Sequence, residues 1–210
     1  MRYDFSLGYV IGVLKGDGSL HRSIDYHYFD HKSRQVPKAK SVRRVARFRC
    51  TFALDVKDKD FADAFAGHLE KVTGKRVCRW MTKRGEFKAI LVNKEWYERI
   101  LPLKSDLEWL KTADLEVKRG FLRGMFDSEG SVSIRDYGVR IILYNKDKQL
   151  LIFCQKLLLE FGIESHFQDE ENIKGARCSR ITFGHKKTMA KFCQEIGFSI
   201  KRKKGKLVIQ

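Results

Sequence analysis

The chain has 210 residues, 43% of them hydrophobic, which favours a folded protein of one large or two small domains over a disordered chain. An excess of 43 Lys and Arg over 26 Asp and Glu gives a formal charge of +17, which is typical of proteins that bind polyanions, although ribosomal proteins and thermophilic surfaces share it. The five scattered cysteines form no CxxC pair, and neither a signal peptide nor a membrane-spanning run is evident, so we expect an intracellular protein of the cytoplasm, nucleoid or an organelle.

The first predicted element is a glycine-rich apolar helix that ends at an acid. In "GYVIGVLKGDGSL" the glycines at 8, 12 and 16 recur every four residues and therefore share one helix face, and Asp17 and Gly18 follow. The same pattern returns in "GFLRGMFDSEGSV", where Glu129 follows Asp17 by 112 residues. The equivalent positions in this copy are Gly120, Gly124 and Ser128. Two copies half a chain apart indicate an internal duplication.

Each copy opens the same series of elements. After the first motif come an extended run and the alternating strand "RVARFRCTFAL", then a helix beginning at "DKDFADAF" and two strands around "KRGE". The helix "KEWYERIL" completes the first half. The second half predicts strands near 130–136 and 139–145, a helix over 147–161, strands near 163–169 and 177–183, and a helix over 186–196. We therefore expect boundaries at 1–101 for the first half, 102–113 for a linker, 114–198 for the second half and 199–210 for a basic tail.

The paired glycine faces predict that the two motif helices pack together closely. Glycine costs about 1 kcal/mol relative to alanine inside a helix, so three on one face require a packing reason. The helix ends would then meet and place Asp17 beside Glu129, at the terminus where a negative charge is least favourable. A divalent cation held by carboxylates and main-chain carbonyls would relieve that repulsion, whereas the alternative is a pair of exposed capping acids. Gly18 and Gly130 suit the left-handed conformation that often ends a helix.

The two segments, Val10–Gly18 and Leu122–Gly130, resemble the paired motifs of the LAGLIDADG homing endonucleases, specifically the monomeric, intron-encoded subfamily with two motifs. Lys15 departs from the acid usual at its position, which precedes the metal-binding acid. The resemblance implies an α+β fold, a duplicated αββαββα unit with two saddle-shaped antiparallel sheets and pseudo-twofold symmetry. It also implies a monomer that makes a staggered double-strand cut in a long asymmetric DNA site, and so promotes intron mobility.

By the same resemblance, Asp17 and Glu129 bind Mg²⁺ or Mn²⁺, with Ca²⁺ as a non-catalytic substitute, and the metal-activated water attacks the phosphodiester. Main-chain oxygens of Gly16 and Ser128 are candidate further ligands. In this family, a Gln or Lys after the second strand and a Lys after the fourth often surround the metals. The matching positions in this chain are Val56, Lys57, Lys94, Asn145, Lys146 and Lys186. The apolar Val56 predicts that the two halves are not equivalent, and each lysine could equally well be an ordinary residue at the start of a helix.

Alternation in the strands predicts which side chains face DNA. If Phe48, Cys50 and Phe52 pack under helices, residues of the opposite parity face a groove, where arginine can read guanine. The predicted DNA-binding residues are Ser19, His21, Ser23, Asp25, Arg43, Arg44, Arg47, Arg49 and Thr51 in the first half, and Ser131, Ser133, Arg135, Arg140 and Tyr144 in the second. The segment 32–49 carries eight basic residues and no acid and is predicted to form a hairpin tip that contacts phosphates.

Three questions stay open from the sequence. The basic tail is either a phosphate contact or a solubilising segment, and the three tryptophans are expected in the core or in helix packing rather than in base stacking. The function could also be that of an intron maturase that binds its own intron RNA, or of a DNA-binding regulator that no longer cleaves. The presence of both motif acids argues against loss of cleavage, and the chain lacks the terminal splicing residues of an intein.

Overall fold

The computed structural model describes residues 1–29, 43–135, 138–171 and 177–208, with the side chains of 25–29, 43–47, 135, 170, 171, 177, 178 and 208 left undescribed. The first half contains α1 (Phe5–Lys15), β1 (Ser19–Phe29), β2 (Arg43–Val56), α2 (Lys59–Thr73), β3 (Cys78–Met81), β4 (Phe87–Val92) and α3 (Lys94–Ser105). The second half contains α4 (Leu115–Glu129), β5 (Gly130–Arg135), β6 (Gly138–Asn145), α5 (Lys148–Glu160), β7 (His166–Glu171), β8 (Arg177–Phe183) and α6 (Lys186–Glu195). The predicted order of elements is confirmed in both halves.

The strands form two four-stranded antiparallel sheets with equivalent topology. The order is β1-β2-β4-β3 in the first sheet and β5-β6-β8-β7 in the second. This arrangement is the predicted duplicated αββαββα architecture of the α+β class. A short 3₁₀ helix, Glu108–Lys111, joins the halves, and α7 (Lys201–Val208) ends the described chain. Pro102 lies inside α3, so that helix continues for four residues into the predicted linker, and the proposed domain boundaries stay a prediction.

The two motif helices form the centre of the molecule. In α1 every residue from Ser6 to Leu14 is buried, as expected for a helix that is apolar on all sides. In α4 the buried positions include Val117, Phe121 and Met125, which recur every four residues. The remaining helices cover the outer faces of the two sheets and complete a continuous hydrophobic core. Within the described ranges, no helix is long and apolar enough to cross a membrane.

Two expectations about apolar side chains are wrong. Phe48 shares the parity of the buried residues Cys50 and Phe52 but is 52% exposed, because the β1–β2 hairpin extends past the helices that cover its base. The Arg22 guanidinium lies over its ring at 3.9 Å. Trp80 is also exposed, on the short edge strand β3, whereas Trp96 is buried and Trp109 packs against the core.

The expectation of left-handed glycines after the motif acids is also wrong. Gly130 has φ of −78°, and Gly18 is not among the glycines with positive φ in the described part of the chain. Both glycines are instead required by close packing against their own helices. A Cβ atom on Gly130 would lie 2.3 Å from the carbonyl oxygen of Phe126, and one on Gly18 would lie 2.9 Å from that of Val13.

Candidate active site

The glycine faces of α1 and α4 are in backbone contact. A Cβ atom on Gly8 would lie 2.0 Å from the carbonyl oxygen of Val117, and one on Gly12 would lie 2.2 Å from that of Phe121. From the other side, Cβ atoms on Gly120 and Gly124 would lie 2.1 and 2.4 Å from carbonyl oxygens of α1. Only residues without a side chain allow helices to approach this closely. The contact therefore fixes the relative position of the two helices.

The same contact brings the two motif acids to one place. Added to Gly16, a Cβ would lie 2.3 Å from the Ser128 Cβ and 3.3 Å from the Glu129 Cγ, so the two helices are still in contact at their C-terminal ends. Burial raises the pKa of both Asp17 and Glu129, and the Asp17 charge raises the pKa of Glu129 further. The Lys203 ammonium opposes both shifts. Asp17 is exposed and Glu129 half-buried, so two carboxylates of like charge are held close together at the solvent boundary.

These residues fit a hard divalent cation. Carboxylate and main-chain oxygens are the donors that Mg²⁺ and Ca²⁺ prefer, and a cation would offset the repulsion between Asp17 and Glu129. Among the described residues, no group of three or more His, Cys, Asp and Glu side chains is placed to hold a metal ion. Mg²⁺ is often bound by only one or two carboxylates, with waters and substrate phosphates completing its coordination. The two motif acids are therefore a suitable set if a phosphate ligand joins them.

A concave polar surface extends from Asp17 along the first sheet. It forms a cleft of about 390 Å³ in which Asp17 lies at the helix end and the strand residues alternate with buried ones. The lining residues on β1 and β2 are Ser19, His21, Ser23, Arg49, Thr51, Ala53 and Asp55, and β4 adds Lys88 and Ile90. Five of the predicted DNA-binding residues thus share one face with a motif acid, but Thr51 among them is buried and its hydroxyl oxygen does not reach the surface.

The second sheet has the same alternation. Val132, Val139, Ile141 and Leu143 are buried, while Ser131, Ser133 and Tyr144 are half-buried and Arg140 is exposed. The predicted polar residues therefore alternate with buried core residues here as well. The side chains of Asp25, Arg43, Arg44, Arg47 and Arg135 lie outside the described part of the structure. Most of the basic segment 32–49 also lies outside the described residues, so the prediction of a phosphate-binding tip stays a prediction.

The predicted supporting residues take different places. Lys57 lines a cleft of about 320 Å³ that also contains Asp17 and Ser128. Lys94 is exposed at the start of α3, where its ammonium lies 3.7 Å from the Glu98 carboxylate. Lys146 and Lys186 are exposed, before α5 and at the start of α6. The Asn145 side-chain oxygen accepts a hydrogen bond from the Asp147 amide at 2.8 Å, and Val56 packs against the core.

Two charged residues of the first cleft, Asp55 and Lys88, are not among the side chains predicted from the sequence. Asp55 lies on the concave face, and its carboxylate forms an ion pair with the Lys88 ammonium at 2.6 Å. The alternation that selects Arg47, Arg49 and Thr51 reaches Asp55 when it is continued for four more residues, so the signal was present in the sequence. The equivalent pair of positions in the second half, by strand register, holds Tyr144 and Arg180.

Two residues of the C-terminal segment, Ser199 and Lys203, lie near the motif acids, and Ser199 contacts Asp127 of α4. The Asp127 carboxylate is buried, accepting a hydrogen bond from the Tyr9 hydroxyl at 2.8 Å and one from the Ser199 amide at 2.8 Å. Burial raises the pKa of Asp127 and, with help from the Asp127 charge, raises that of Tyr9 well above its usual value. Lys203 is 6% exposed and lines the same cleft as Asp17. In the sequence, the spacing of Ile200, Lys203 and Leu207 indicates that Lys203 shares one helix face with two apolar residues.

Comparisons with known proteins agree with this geometry. Residues 116–197 match the LAGLIDADG-like domain family. MJ0398 of Methanocaldococcus jannaschii is 27% identical over 216 residues, which cover 96% of this chain and 69% of that protein. MJ0314 of the same organism is 26% identical over 176 residues, covering 80% of this chain and 58% of that protein.

Solved structures share the whole fold. The homing endonuclease I-DmoI in complex with DNA and Mn superimposes with a TM-score of 0.62 at 15% identity, covering 93% of this chain and 98% of that one. I-DmoI has also been solved with DNA and Ca, and a point variant of I-DmoI with its target DNA and Mg. The N-terminal LAGLIDADG domain of WhiA gives a TM-score of 0.55 at 18% identity, covering 94% of this chain and 83% of that one. Residues 116–197 are therefore a LAGLIDADG-like domain, and the chain has the fold of the single-chain, two-motif LAGLIDADG homing endonucleases, as its sequence resemblance predicts.

Proposed function

We propose that this protein is a site-specific DNA endonuclease that hydrolyses one phosphodiester on each strand with the help of divalent cations. The observation that carries the proposal is the meeting of Asp17 and Glu129 at the ends of two helices in backbone contact. The position of each acid is set by packing that allows little adjustment. Catalysis at a phosphodiester requires this precision, because a small displacement of a reacting group lowers the rate strongly.

The proposed roles follow from the placement of the residues. Asp17 and Glu129, with main-chain oxygens of Gly16 and Ser128, would hold the cation. When bound, the cation stabilises the attacking and leaving oxygens and lowers the pKa of the attacking water. Lys57, in the cleft beside Asp17, is positioned to attract the phosphate. Lys94, Asn145, Lys146 and Lys186 stay candidates for supporting roles at the outer edge of the site.

DNA would lie across the concave faces of both sheets. The net charge of +17 supplies the general attraction to phosphate, while His21 and Arg49 offer donors and acceptors to base edges in the first cleft. Ser131, Ser133, Arg140 and Tyr144 occupy the corresponding face of the second half. A protein with two such faces on one chain reads an asymmetric site as a monomer, and intron mobility is the biological role that such cleavage serves.

Binding without cleavage is the alternative on the same fold. The fold is also present in WhiA, and one fold can host several functions. A regulator would bind double-stranded DNA through the same sheets, and a maturase would bind its intron RNA. Both motif acids and their shared position favour the endonuclease, because neither binding role requires two carboxylates of like charge in proximity.

The test is cleavage of a plasmid that carries the uninterrupted insertion site of the host gene, with and without Mg²⁺. Asp17→Asn and Glu129→Gln are compared with wild type and with Asp63→Asn, a control that removes an exposed carboxylate in a surface ion pair. We expect a linear product from wild type and the control, and a rate lowered by more than about a hundredfold in both motif variants.

Other outcomes would redirect the proposal. Tight DNA binding by wild type without a Mg²⁺-dependent cut would overturn the endonuclease and support the regulator. Absence of DNA binding together with tight binding of the intron RNA would support the maturase. Retention of full activity in either motif variant would exclude that acid from the site.

A further inference from the structure

The C-terminal helix α7 is attached to the second half at the end of its motif helix. The Lys203 ammonium donates hydrogen bonds to the carbonyl oxygens of Phe126 at 3.0 Å and Asp127 at 2.5 Å, in the last turn of α4. One residue before Ile200, the Ser199 amide donates to the Asp127 carboxylate at 2.8 Å. The Phe126 carbonyl also accepts a hydrogen bond from the Gly130 amide, so Lys203 reinforces an existing bond there. The Asp127 carbonyl lies in the last turn, where helix carbonyls lack a partner within the helix, and Lys203 supplies its donor.

The same helix is attached to the first half. The Arg202 guanidinium forms a bidentate pair with the Asp58 carboxylate at 2.9 and 3.2 Å, and the Lys201 amide donates to the Asp60 carboxylate at 2.5 Å. Asp58 and Asp60 lie at the start of α2, directly after β2. Consecutive residues 201–203 therefore contact both halves, next to the cleft that contains Asp17.

The charge of Lys203 suits its surroundings. Burial lowers its pKa to about 8, while the carboxylates of Asp127, Asp17 and Asp58 act in the opposite direction. A cation at a helix C-terminus is favoured by the helix dipole, and here that terminus carries Glu129 two residues after the second carbonyl that Lys203 binds. A lysine side chain in this position thus holds the backbone that immediately precedes a motif acid.

We propose that α7 is a clasp between the two halves, and that Lys203 is a positioning residue that fixes the end of α4 and thereby the placement of Glu129 opposite Asp17. The consequence for reactivity rests on the proposed endonuclease function, whereas the consequence for the backbone does not. Arg202 and Lys201 fasten the same helix to α2, so displacement of α7 would loosen both sides of the site.

Amide hydrogen exchange followed by mass spectrometry tests the clasp without DNA or metal. The full chain is compared with Lys203→Met and with the matched control Lys204→Met, which removes an exposed lysine from the next position of α7. We expect Lys203→Met to speed exchange at residues 127–131 on the order of tenfold, with no such change in the control. Lys203→Arg, which keeps the charge, is expected to restore part of the protection.

Cleavage kinetics on the same variants test the positioning role. We expect Lys203→Met to lower kcat on the order of tenfold or more while DNA affinity stays within about twofold, because the sheet faces are unchanged. A purely structural residue would lower the fraction of folded enzyme, which urea titration measures separately. If wild type does not cut DNA, the proposed endonuclease fails while the exchange experiment still decides the clasp.

Two results would overturn the inference. Unchanged exchange at 127–131 in Lys203→Met would exclude the clasp, and unchanged kcat would exclude the positioning role. Should Lys203→Met fail to fold, Arg202→Met provides the second test, since Arg202 is exposed. It is expected to speed exchange at residues 58–62 and 200–204, and equal protection to wild type at both segments would exclude the clasp.

Discussion

The two halves of the molecule pack against each other through equivalent glycines and differ where they face outward. At the contact, glycines 8 and 12 of α1 and glycines 120 and 124 of α4 each lie against the backbone of the other helix. The sheets have diverged in length, because β1 and β2 have 11 and 14 residues whereas β5 and β6 have 6 and 8. Close packing constrains both partners of a contact equally, while a surface strand is free to lengthen.

The polar residues at the base of each sheet have diverged too. The first half has the Asp55–Lys88 ion pair where the second has Tyr144 and Arg180. At about 3.3 Å per residue, β2 spans roughly 46 Å and β6 roughly 26 Å. Under the proposed function, each half would thus contribute one motif acid to the chemistry, whereas the two sheets would contribute unequally to the reading of DNA.

The largest expected effect tests the equivalence of the two glycine faces. Gly12→Ala places a methyl group 2.2 Å from a backbone oxygen, and Gly124→Ala places one at 2.4 Å. We expect each variant to lower the free energy of unfolding by about 3 kcal/mol or more. Gly67→Ala is the control, because no atom lies within 4 Å of the position that its methyl group would take, and the change is expected to stabilise α2 by about 0.5–1 kcal/mol. Urea unfolding measures all three.

A clear difference between Gly12→Ala and Gly124→Ala would show that one helix can move away from the other. The symmetry of the contact would then be geometric only, and the half that tolerates the methyl group would be the more deformable one.

The second prediction concerns DNA reading by the longer sheet. Arg49 lines the first cleft, and its register-equivalent position in the second half is Gly138 at the β5–β6 turn. We expect Arg49→Ala to weaken binding to the specific site by about 1–3 kcal/mol and to relax sequence preference in one half-site. Competition binding at fixed salt measures the change.

Arg99→Ala is the matched control for this prediction, since Arg99 forms an exposed ion pair with Glu95 on α3. Equal losses for Arg49→Ala and Arg99→Ala would mean that both act only through net charge. The concave face of the first sheet would then have no role in specificity.

A third difference between the halves is sensitivity to acid. His68 of α2 lies 4.4 Å from the Tyr9 ring and accepts or donates a hydrogen bond with the Ser6 hydroxyl at 3.0 Å, whereas the equivalent position of α5 holds the buried Leu157. Burial lowers the His68 pKa to about 4. As pH falls, His68 therefore gains a proton in the unfolded chain before it does so in the folded one. The free energy of unfolding is thus lowered by roughly 1–3 kcal/mol as pH falls from about 6.5 towards 4.

His68→Leu should flatten that part of the pH dependence, as measured by urea unfolding at a series of pH values. An unchanged acid slope in the variant would assign the loss to carboxylates instead of His68. His21→Leu, at an exposed position of the first sheet, is the control substitution for a change of one histidine to leucine.

The sequence predicted those features that repeat or alternate. The paired glycines and acids predicted the helix contact, and strand alternation predicted the concave faces, because both patterns report local geometry directly. The positions of Phe48 and Trp80 depend on how far the helices extend over each sheet, which no local pattern encodes. The spacing of Ile200, Lys203 and Leu207 places Lys203 on the apolar face of a helix, but its role was not predictable because it depends on a long-range contact between α7 and the end of α4.

The smallest expected effect compares the two motif acids directly. Burial raises the pKa of Asp17, and burial together with the Asp17 charge raises the pKa of Glu129. The charged carboxylates therefore destabilise the folded protein at pH values above these raised pKa values. This destabilisation disappears when pH falls below the ordinary pKa of a carboxyl. We therefore expect Asp17→Asn and Glu129→Gln to raise the free energy of unfolding by at most about 1 kcal/mol at neutral pH without divalent cations, because solvent screens the exposed Asp17 carboxylate. Added Mg²⁺ should stabilise wild type and neither variant.

These measurements separate the effect of the acid pair on folding stability from its role in binding a cation. If the variants are more stable than wild type and Mg²⁺ removes the difference, the two carboxylates are kept close at the expense of stability, as expected of a cation site. If both variants are less stable than wild type at neutral pH, the acids are structural and Lys203 compensates their charge fully. A gain from Asp17→Asn alone would show that the two motif acids are not equivalent, in keeping with α1 ending at Lys15, before its acid, and α4 ending at Glu129 itself.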